Sequence, residues 1–306
     1  MAAPVPDIHA QPPATGRLTL EKVGISGIRK PLRVERPGRV HTLSAAFSVS
    51  VDLPAERKGS DLSRNAALLA EAFDWPEARP VPSLESACVG IARELLTRHP
   101  YATTSEVTAR AEYFLPRGIA PGRSSLENFT LLAEAYGVRR PEGIRVRRTV
   151  GAEAVGMTAC PCAMESARER LVEEFPKLAD PQLAGLPIVT HNQRNRTELR
   201  FELSEGAEVE ADEIVAAIEA AQSSPTYAIL KRGDEAQLVL HAHRNPKFVE
   251  DVVRDLVFSL PSRFPTLDDA VVVRVHSVSE ESIHKFDVVA DHRVTMGDLR
   301  TNGRAP

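Results

Sequence analysis

The chain has few cysteines, few aromatics, no lopsided charge and no long apolar run, and each shortage closes a class of function. Three cysteines in 306 residues is a small and odd number for a disulfide framework, so a reducing cytoplasm is the expected setting. Aromatic side chains make up 5% and charged ones 26%, with a formal net charge of -4. Lys and Arg do not gather into the basic face that nucleic-acid binding requires. No apolar run is long enough to span a bilayer, and the N-terminus has no hydrophobic signal core. Residues 1–16, with Pro4, Pro6, Pro12, Pro13 and several alanines, read as a disordered leader.

What is present is length enough for one large core or two ordinary domains. Leu18 to Val34 reads as extended, with a break around Gly24–Gly27. Leu43, Phe47, Val49, Val51 and Leu53 fall on one side and Ser44, Ser48, Ser50 and Asp52 on the other, the alternation of a half-buried antiparallel strand. A helix is predicted from Leu62 to Phe73, stopped at Trp75-Pro76. A second follows Ser83 as N-cap, with Leu84, Ala87, Cys88, Ile91 and Leu95 on one face. Cys88 on that face reads as core packing. Alternation returns from Val107 to Leu115, and further extended segments are expected at 126–136 and 142–157.

The second half repeats this outline. A helix is expected from Ala163 to Phe175, then a polar connection with Pro176, Pro181 and Pro187, then a strand near 188–203. Helices near 211–222 and 246–260 and strands near 269–279 and 283–295 complete it. Antiparallel sheets with helices packed on one face make this an α+β chain. Gly151–Gly156 is the expected junction, dividing modules 17–155 and 156–306.

The chemistry gathers in Met157-Thr158-Ala159-Cys160-Pro161-Cys162-Ala163 and Thr190-His191-Asn192-Gln193-Arg194. Pro161 biases Cys160 away from the α region, so Cys160 is expected on a bend where a strand gives way to a helix. There the helix N-terminal amides favour a thiolate able to bind metal. The alternative is a buried thiol beside a turn, since Cys-Pro-Cys lacks the spacer of zinc knuckles and no second cysteine pair completes a four-sulfur site. His191 is equally readable as a surface or core histidine. Together the two allow a mixed sulfur and nitrogen shell.

Candidate carboxylates are several. Lys231-Arg232-Gly233-Asp234-Glu235 reads as a turn, with a solvated hairpin tip as the plain alternative. Glu250 lies on a helix, where pairing with Arg254 is the competing role. Glu281 and His284 would point to opposite sides of a straight strand, so they share a site only if the chain bends or the strand begins there. His241 and His243 read as one side of an extended run at the surface.

In their order, Cys-Pro-Cys, Thr-His-Asn-Gln-Arg, Leu-Lys-Arg-Gly-Asp-Glu, Asn-Pro-Lys-Phe-Val-Glu-Asp and Glu-Ser-Ile-His resemble the type IB GTP cyclohydrolases, in the archaeal-type branch. The likeness extends back through Pro31–Ser63. It implies tandem tunnelling-fold modules in a homo-oligomer, a tetramer, with sites at subunit interfaces. It also implies the opening of GTP at C8 of guanine, loss of formate and closure to a 7,8-dihydroneopterin phosphate, a step of pterin or folate biosynthesis. By the same likeness Cys160, His191 and Glu235 would hold a divalent metal, Fe(II) first, with Zn or Mn as alternatives. Cys160, Glu281 and His284 would serve the chemistry, and Glu250 would anchor the guanine edge. Arg194 and Lys231 are candidates for the phosphates.

The chain also departs from that family. Gly59-Ser60-Asp61-Leu62-Ser63-Arg64 stands where the family has Gly-x-His-Met-Ser-Arg, Gly233 where proline is usual, and Phe286 where a polar residue is common. Two other readings therefore stand beside the first: a tunnelling-fold enzyme acting on another purine or pterin, and an inactive binding protein of the same fold.

Overall fold

A computed structural model describes residues 7–36, 39–73, 79–120, 122–183, 185–204 and 206–302. The strands are β1 (Leu20–Arg36), β2 (Arg39–Leu53), β3 (Thr104–Ala120), β4 (Arg123–Arg140), β5 (Gly143–Ala159), β6 (Asn192–Leu203), the short β7 (Ser224–Pro225), β8 (Val272–Glu280) and β9 (Val288–Thr295). They form one sheet in the order β1-β2-β3-β4-β5-β6-β8-β9, with β7 on β5. The α+β architecture expected from the alternating patterns is therefore present. The chain divides into two compact units, 1–112 with 131–150 and 113–130 with 151–306. Among the described residues no helix is long and apolar enough to cross a membrane.

In the first unit β1 and β2 pair antiparallel, with irregularities at Leu20/Val23 and Ile25/Ile28, and β2 pairs antiparallel with β3. Helices α1 (Leu62–Phe73) and α2 (Leu84–Arg98) lie where the apolar spacing put them. Ser83 caps α2 by accepting the Ser86 N–H at 3.2 Å. Phe47 of β2 stacks on Phe73 of α1 with ring centroids 4.7 Å apart. Cys88 is fully buried, as its place on the apolar face implied, and burial pushes its thiol up. Residues 1–6 of the expected leader lie outside the described residues. From Asp7 on it touches the body of the unit, where the Lys58 N–H reaches the His9 and Gln11 carbonyls at 3.1 and 2.8 Å.

The second unit pairs β6, β8 and β9 antiparallel. It adds helices α3 (Pro161–Glu174), α4 (Ala211–Ala221), α5 (Arg232–Arg244), α6 (Val249–Arg263) and α7 (Met296–Asn302). Leu199, Phe201, Ile214, Ile218, Leu256 and Leu260 are its fully buried centre. Helix α5 corrects two readings. The Lys231–Glu235 run is its first turn and not a hairpin tip, because the Asp234 carboxylate accepts the Lys231 N–H at 3.0 Å and closes the helix start. His241 and His243 are helical, not extended; His243 Nδ1 lies 2.8 Å from the Val239 carbonyl one turn back. The strand expected from 283 begins only at Val288, after a run of bends.

One buried base in the first unit makes folding sensitive to pH. His99 is fully buried, with Nε2 2.6 Å from Asn65 Oδ1 and Nδ1 2.8 Å from the Tyr101 hydroxyl. The amide oxygen only accepts, so Nε2 carries the proton and Nδ1 accepts from Tyr101 in a neutral ring. Burial, helped by the nearby Arg64, Arg57 and Arg98 charges and opposed by Asp61, lowers its pKa from 6.5. The unfolded chain then binds more protons, so this contribution is present above about pH 6.5 and is lost as pH falls through the depressed native value. His99→Gln should lower stability at pH 8 by about 1–2 kcal/mol and flatten the decline toward pH 5. Urea unfolding midpoints across that range check it, and parallel pH profiles for the two proteins would count against it.

Candidate active site

The buried faces of β6 and β8 change character along their length. Opposed pairs run Phe201–Val273 and Leu199–Val275, then Thr197–Ser277 and Asn195–Ser279. Alternation along a strand keeps Leu199, Thr197, Asn195 and Gln193 on one face, all of them buried. Buried polar groups must find partners, and Asn195 finds four. Its Oδ1 accepts from Thr197 Oγ1 at 2.8 Å and Gln222 Nε2 at 3.1 Å, while Nδ2 donates to Ser277 Oγ at 3.0 Å and the Val278 carbonyl at 3.3 Å. Gly156 makes this possible, since a Cβ there would lie 1.9 Å from Gln222 Oε1.

At the polar end Cys160, His191 and Glu281 are linked through backbone and side-chain contacts. Cys160 (φ -70°, ψ 117°) is the N-cap of α3, with Pro161 in the first turn, where a missing N–H costs nothing. This is the strand-to-helix bend expected of it. Its Sγ accepts the Ala163 N–H at 3.4 Å. Its N–H donates to the His191 carbonyl at 3.2 Å, and its carbonyl accepts from Thr190 Oγ1 at 2.7 Å. The thiol and the imidazole are thereby tied through their backbones.

Gln193 joins the third member. Its Oε1 accepts from Thr158 Oγ1 at 3.1 Å, which turns the amide nitrogen toward His191 Nδ1 at 2.5 Å and Glu281 Oε2 at 3.3 Å. Nδ1 therefore accepts from the Gln193 amide, 3.7 Å from Glu281 Oε2. Ser279 Oγ donates to the other carboxylate oxygen at 3.3 Å. The His191 and Glu281 side chains are 14% and 10% exposed, so both are nearly enclosed yet reachable. Sulfur at a helix N-terminus, an imidazole and a carboxylate are donor types that a first-row divalent cation takes, although their ligand atoms do not all come within 4.8 Å of one another here.

The other sequence candidates stand elsewhere in the second unit. Glu235 is exposed on the first turn of α5, beside Asp234, whose carboxyl is held low by the Arg123 guanidinium. Glu250 is exposed on the first turn of α6 and lines a groove of roughly 610 Å³ with Phe258, His292 and Leu299. Arg254, its expected competitor, pairs with Asp251 at 3.1 Å. His284 is exposed and stacks flat on Phe286, with centroids 4.9 Å apart and planes at 6°. The bend required between Glu281 and His284 is present at 282–286.

The reading of the sequence gave no role to Gln193, although its place two residues after His191 on one strand put the two side chains on the same face. Ser279 and Thr158 left no such signal. A further group lies in the first unit. Ligand atoms of Asp7, His9 and Asp61 all fall within 4.8 Å of one another, the one such threesome among the described residues. Asp61 there is already met by Arg64 at 3.2 Å and Arg57 at 3.5 Å, which offset the charge a cation would need.

The same architecture occurs among solved structures. A uricase from Bacillus fastidious superposes with a TM-score of 0.52 at 10% identity, over 94% of this chain and 96% of that one. One from Arthrobacter globiformis gives 0.50 at 10%, over 92% and 94%. At such identity the likeness is one of fold alone, and it defines a tunnelling-fold chain. Residues 5–290 match the family model described as type I GTP cyclohydrolase folE2, and the chain belongs to that family. Its relatives include GTP cyclohydrolase MptA of Methanothermobacter thermautotrophicus, 38% identical over 92% of this chain and 91% of that protein. GTP cyclohydrolase MptA 2 of Methanocella arvoryzae is 38% identical over 97% and 98%.

Metal retention should depend on the capping thiol. Cys160→Ala should lose most of the bound metal, whereas Cys162→Ala, at an exposed position in α3, should keep it. Elemental analysis after anaerobic purification decides, and the reverse ranking would reject the site.

Proposed function

We propose that this chain is a metal-dependent GTP cyclohydrolase that opens the imidazole ring of guanine at C8, releases formate and forms a 7,8-dihydroneopterin phosphate. The observation that carries the reading is the contact of His191 and Glu281 with one Gln193 amide, beside Cys160, whose N–H is bound to the His191 carbonyl, in a chain of this family. Cys160 and His191 hold the metal, with Glu235 as a further ligand and Fe(II) as the preferred ion. A divalent cation held there supplies water acidic enough to act as hydroxide near neutral pH.

Glu281, nearly enclosed and oriented by Ser279, accepts and returns a proton near the reacting carbon. His284 donates one to guanine N7, as an imidazole can near neutrality. Glu250 accepts from guanine N1–H and the exocyclic amine, a paired contact that rejects bases lacking those donors. The exposure of Glu250 and His284 in the isolated chain suits a site completed by a neighbouring subunit of a homotetramer, each chain carrying two tunnelling-fold modules joined near residue 155. The setting is cytoplasmic. A second reading, action on another purine nucleotide, draws on Asp61, which sits between Arg57 and Arg64 where the family has histidine.

Anaerobic, Fe(II)-loaded protein incubated with GTP should release formate, with mass spectrometry separating a triphosphate from a cyclic phosphate product. No formate from GTP, with formate from another purine nucleotide, would select the second reading. No formate from any nucleotide would leave a binding protein.

Two substitutions separate the roles. Glu250→Gln should keep the metal and weaken GTP binding about ten- to a hundredfold, the cost of a lost charge-assisted contact. Unchanged GTP binding would reject that role. His284→Asn should keep both metal and GTP affinity while the rate falls about 10²–10⁴-fold. A full-rate His284→Asn enzyme would remove the histidine from the chemistry.

A further inference from the structure

The loop between β8 and β9 carries an aromatic pair in open solvent. It joins Glu280, the last residue of β8, to Val288, the first of β9, and the Ser279–Val288 pair closes its base. Glu281 is tied there by Gln193 and Ser279, but beyond it the residues from Ser282 to Phe286 are exposed. Among the described residues the His284 imidazole makes no hydrogen bond and no ion pair. Its ring partner is Phe286, with centroids 4.9 Å apart and planes at 6°, inside the range of about 4.5–7 Å at which aromatic pairs attract. Phe286 is itself 61% exposed, so its ring covers the imidazole and little of the core.

We propose that Phe286 is a positioning residue for His284, its ring fixing the plane of the imidazole so that a ring N–H faces the substrate. The proposal rests on the role given to His284 as proton donor to guanine N7. An imidazole on a bent loop, with no hydrogen bond to set its side-chain torsions, samples several rotamers. A proton donor must instead be within hydrogen-bond reach and aligned when the transition state forms. Stacking on Phe286 restricts those torsions before the substrate arrives. Imidazole nitrogens direct their hydrogen bonds in the ring plane, so a near-parallel stack covers one face and leaves the edge free to donate. A polar neighbour would hold the ring by occupying a nitrogen, whereas an apolar ring holds it and occupies none. The two rings are also close in sequence, so the contact travels with the loop and needs no distant element.

Phe286→Leu keeps the apolar bulk without the aromatic face, and Phe286→Tyr keeps the face. In the Fe(II)-loaded protein with GTP, Phe286→Leu should lower kcat about two- to tenfold, the size of an aromatic pair's coupling. KM and metal content should not change, and Phe286→Tyr should run at the wild-type rate. In the His284→Asn background Phe286→Leu should have no further effect, because the two residues act as one unit. NMR of imidazole-labelled protein reads the contact without turnover. The His284 ring protons, identified by their loss in His284→Asn, should move downfield in Phe286→Leu as the ring current of Phe286 disappears, and should stay in place in Phe286→Tyr. Unmoved protons in Phe286→Leu would overturn the proposal whatever the substrate. A full-rate Phe286→Leu enzyme beside a slow His284→Asn one would overturn it and leave the role of His284 standing. An equal fall with and without His284 would also overturn it, since Phe286 would then act by another route. A full-rate His284→Asn enzyme would remove the role of His284 and the proposal together.

Discussion

The site depends on a buried sheet face that stops being apolar. Along β6 and β8 the enclosed side chains pass from Phe201 and Val273 to Thr197 and Ser277, then to Asn195 and Ser279. A buried amide left unpaired costs about 1–3 kcal/mol, so this end of the face holds only if each donor and acceptor is matched. Asn195 reaches that condition with partners from β6, from β8 and from Gln222. The same demand fixes Gln193, whose oxygen is claimed by Thr158 and whose nitrogen therefore faces His191 and Glu281.

This makes His191 and Glu281 the outermost members of a packed polar network and not side chains placed at random on a surface. His191 and Glu281 sit just before β6 and just after β8, where the regular pairing ends. Their backbones are free of the ladder while their side chains remain tied to it through Gln193 and Ser279. Cys160 enters from the end of β5 and is bound to the His191 backbone. An arrangement of this kind holds the imidazole and the carboxylate in place through neighbouring side chains.

The opposite face of the same strands answers a different constraint. There the side chains meet solvent, so charges can be carried, but antiparallel pairing aligns residues of like sign as readily as of opposite sign. The Arg200–Arg274–Arg293 row and the Glu198–His276–Asp291 row join β6 to the distant β8 and the consecutive β9, and their members become neighbours only through strand register.

The sequence by itself determined the local matters: the alternation of β2 and β6, the helices around Leu62–Phe73 and Leu84–Arg98, the burial of Cys88 and the bend at Cys160. Each follows from side-chain periodicity or from the backbone limits of proline, which act over a few residues. It also singled out Cys160, His191, Glu235, Glu250, Glu281 and His284 as candidates, by their motifs and by family likeness. It misread α5, because Leu238, Val239 and Leu240, running together ahead of His241 and His243, carry no clear helical stripe and the deciding contact is the Asp234 cap. Only the tertiary structure decided that Gln193 orients the imidazole, that Asn195 is fully paired, that Glu235, Glu250 and His284 lie exposed, and that His9 meets Asp61. Those outcomes depend on which strands become neighbours and in what register, and pairing at long range is invisible to any pattern read along a single chain.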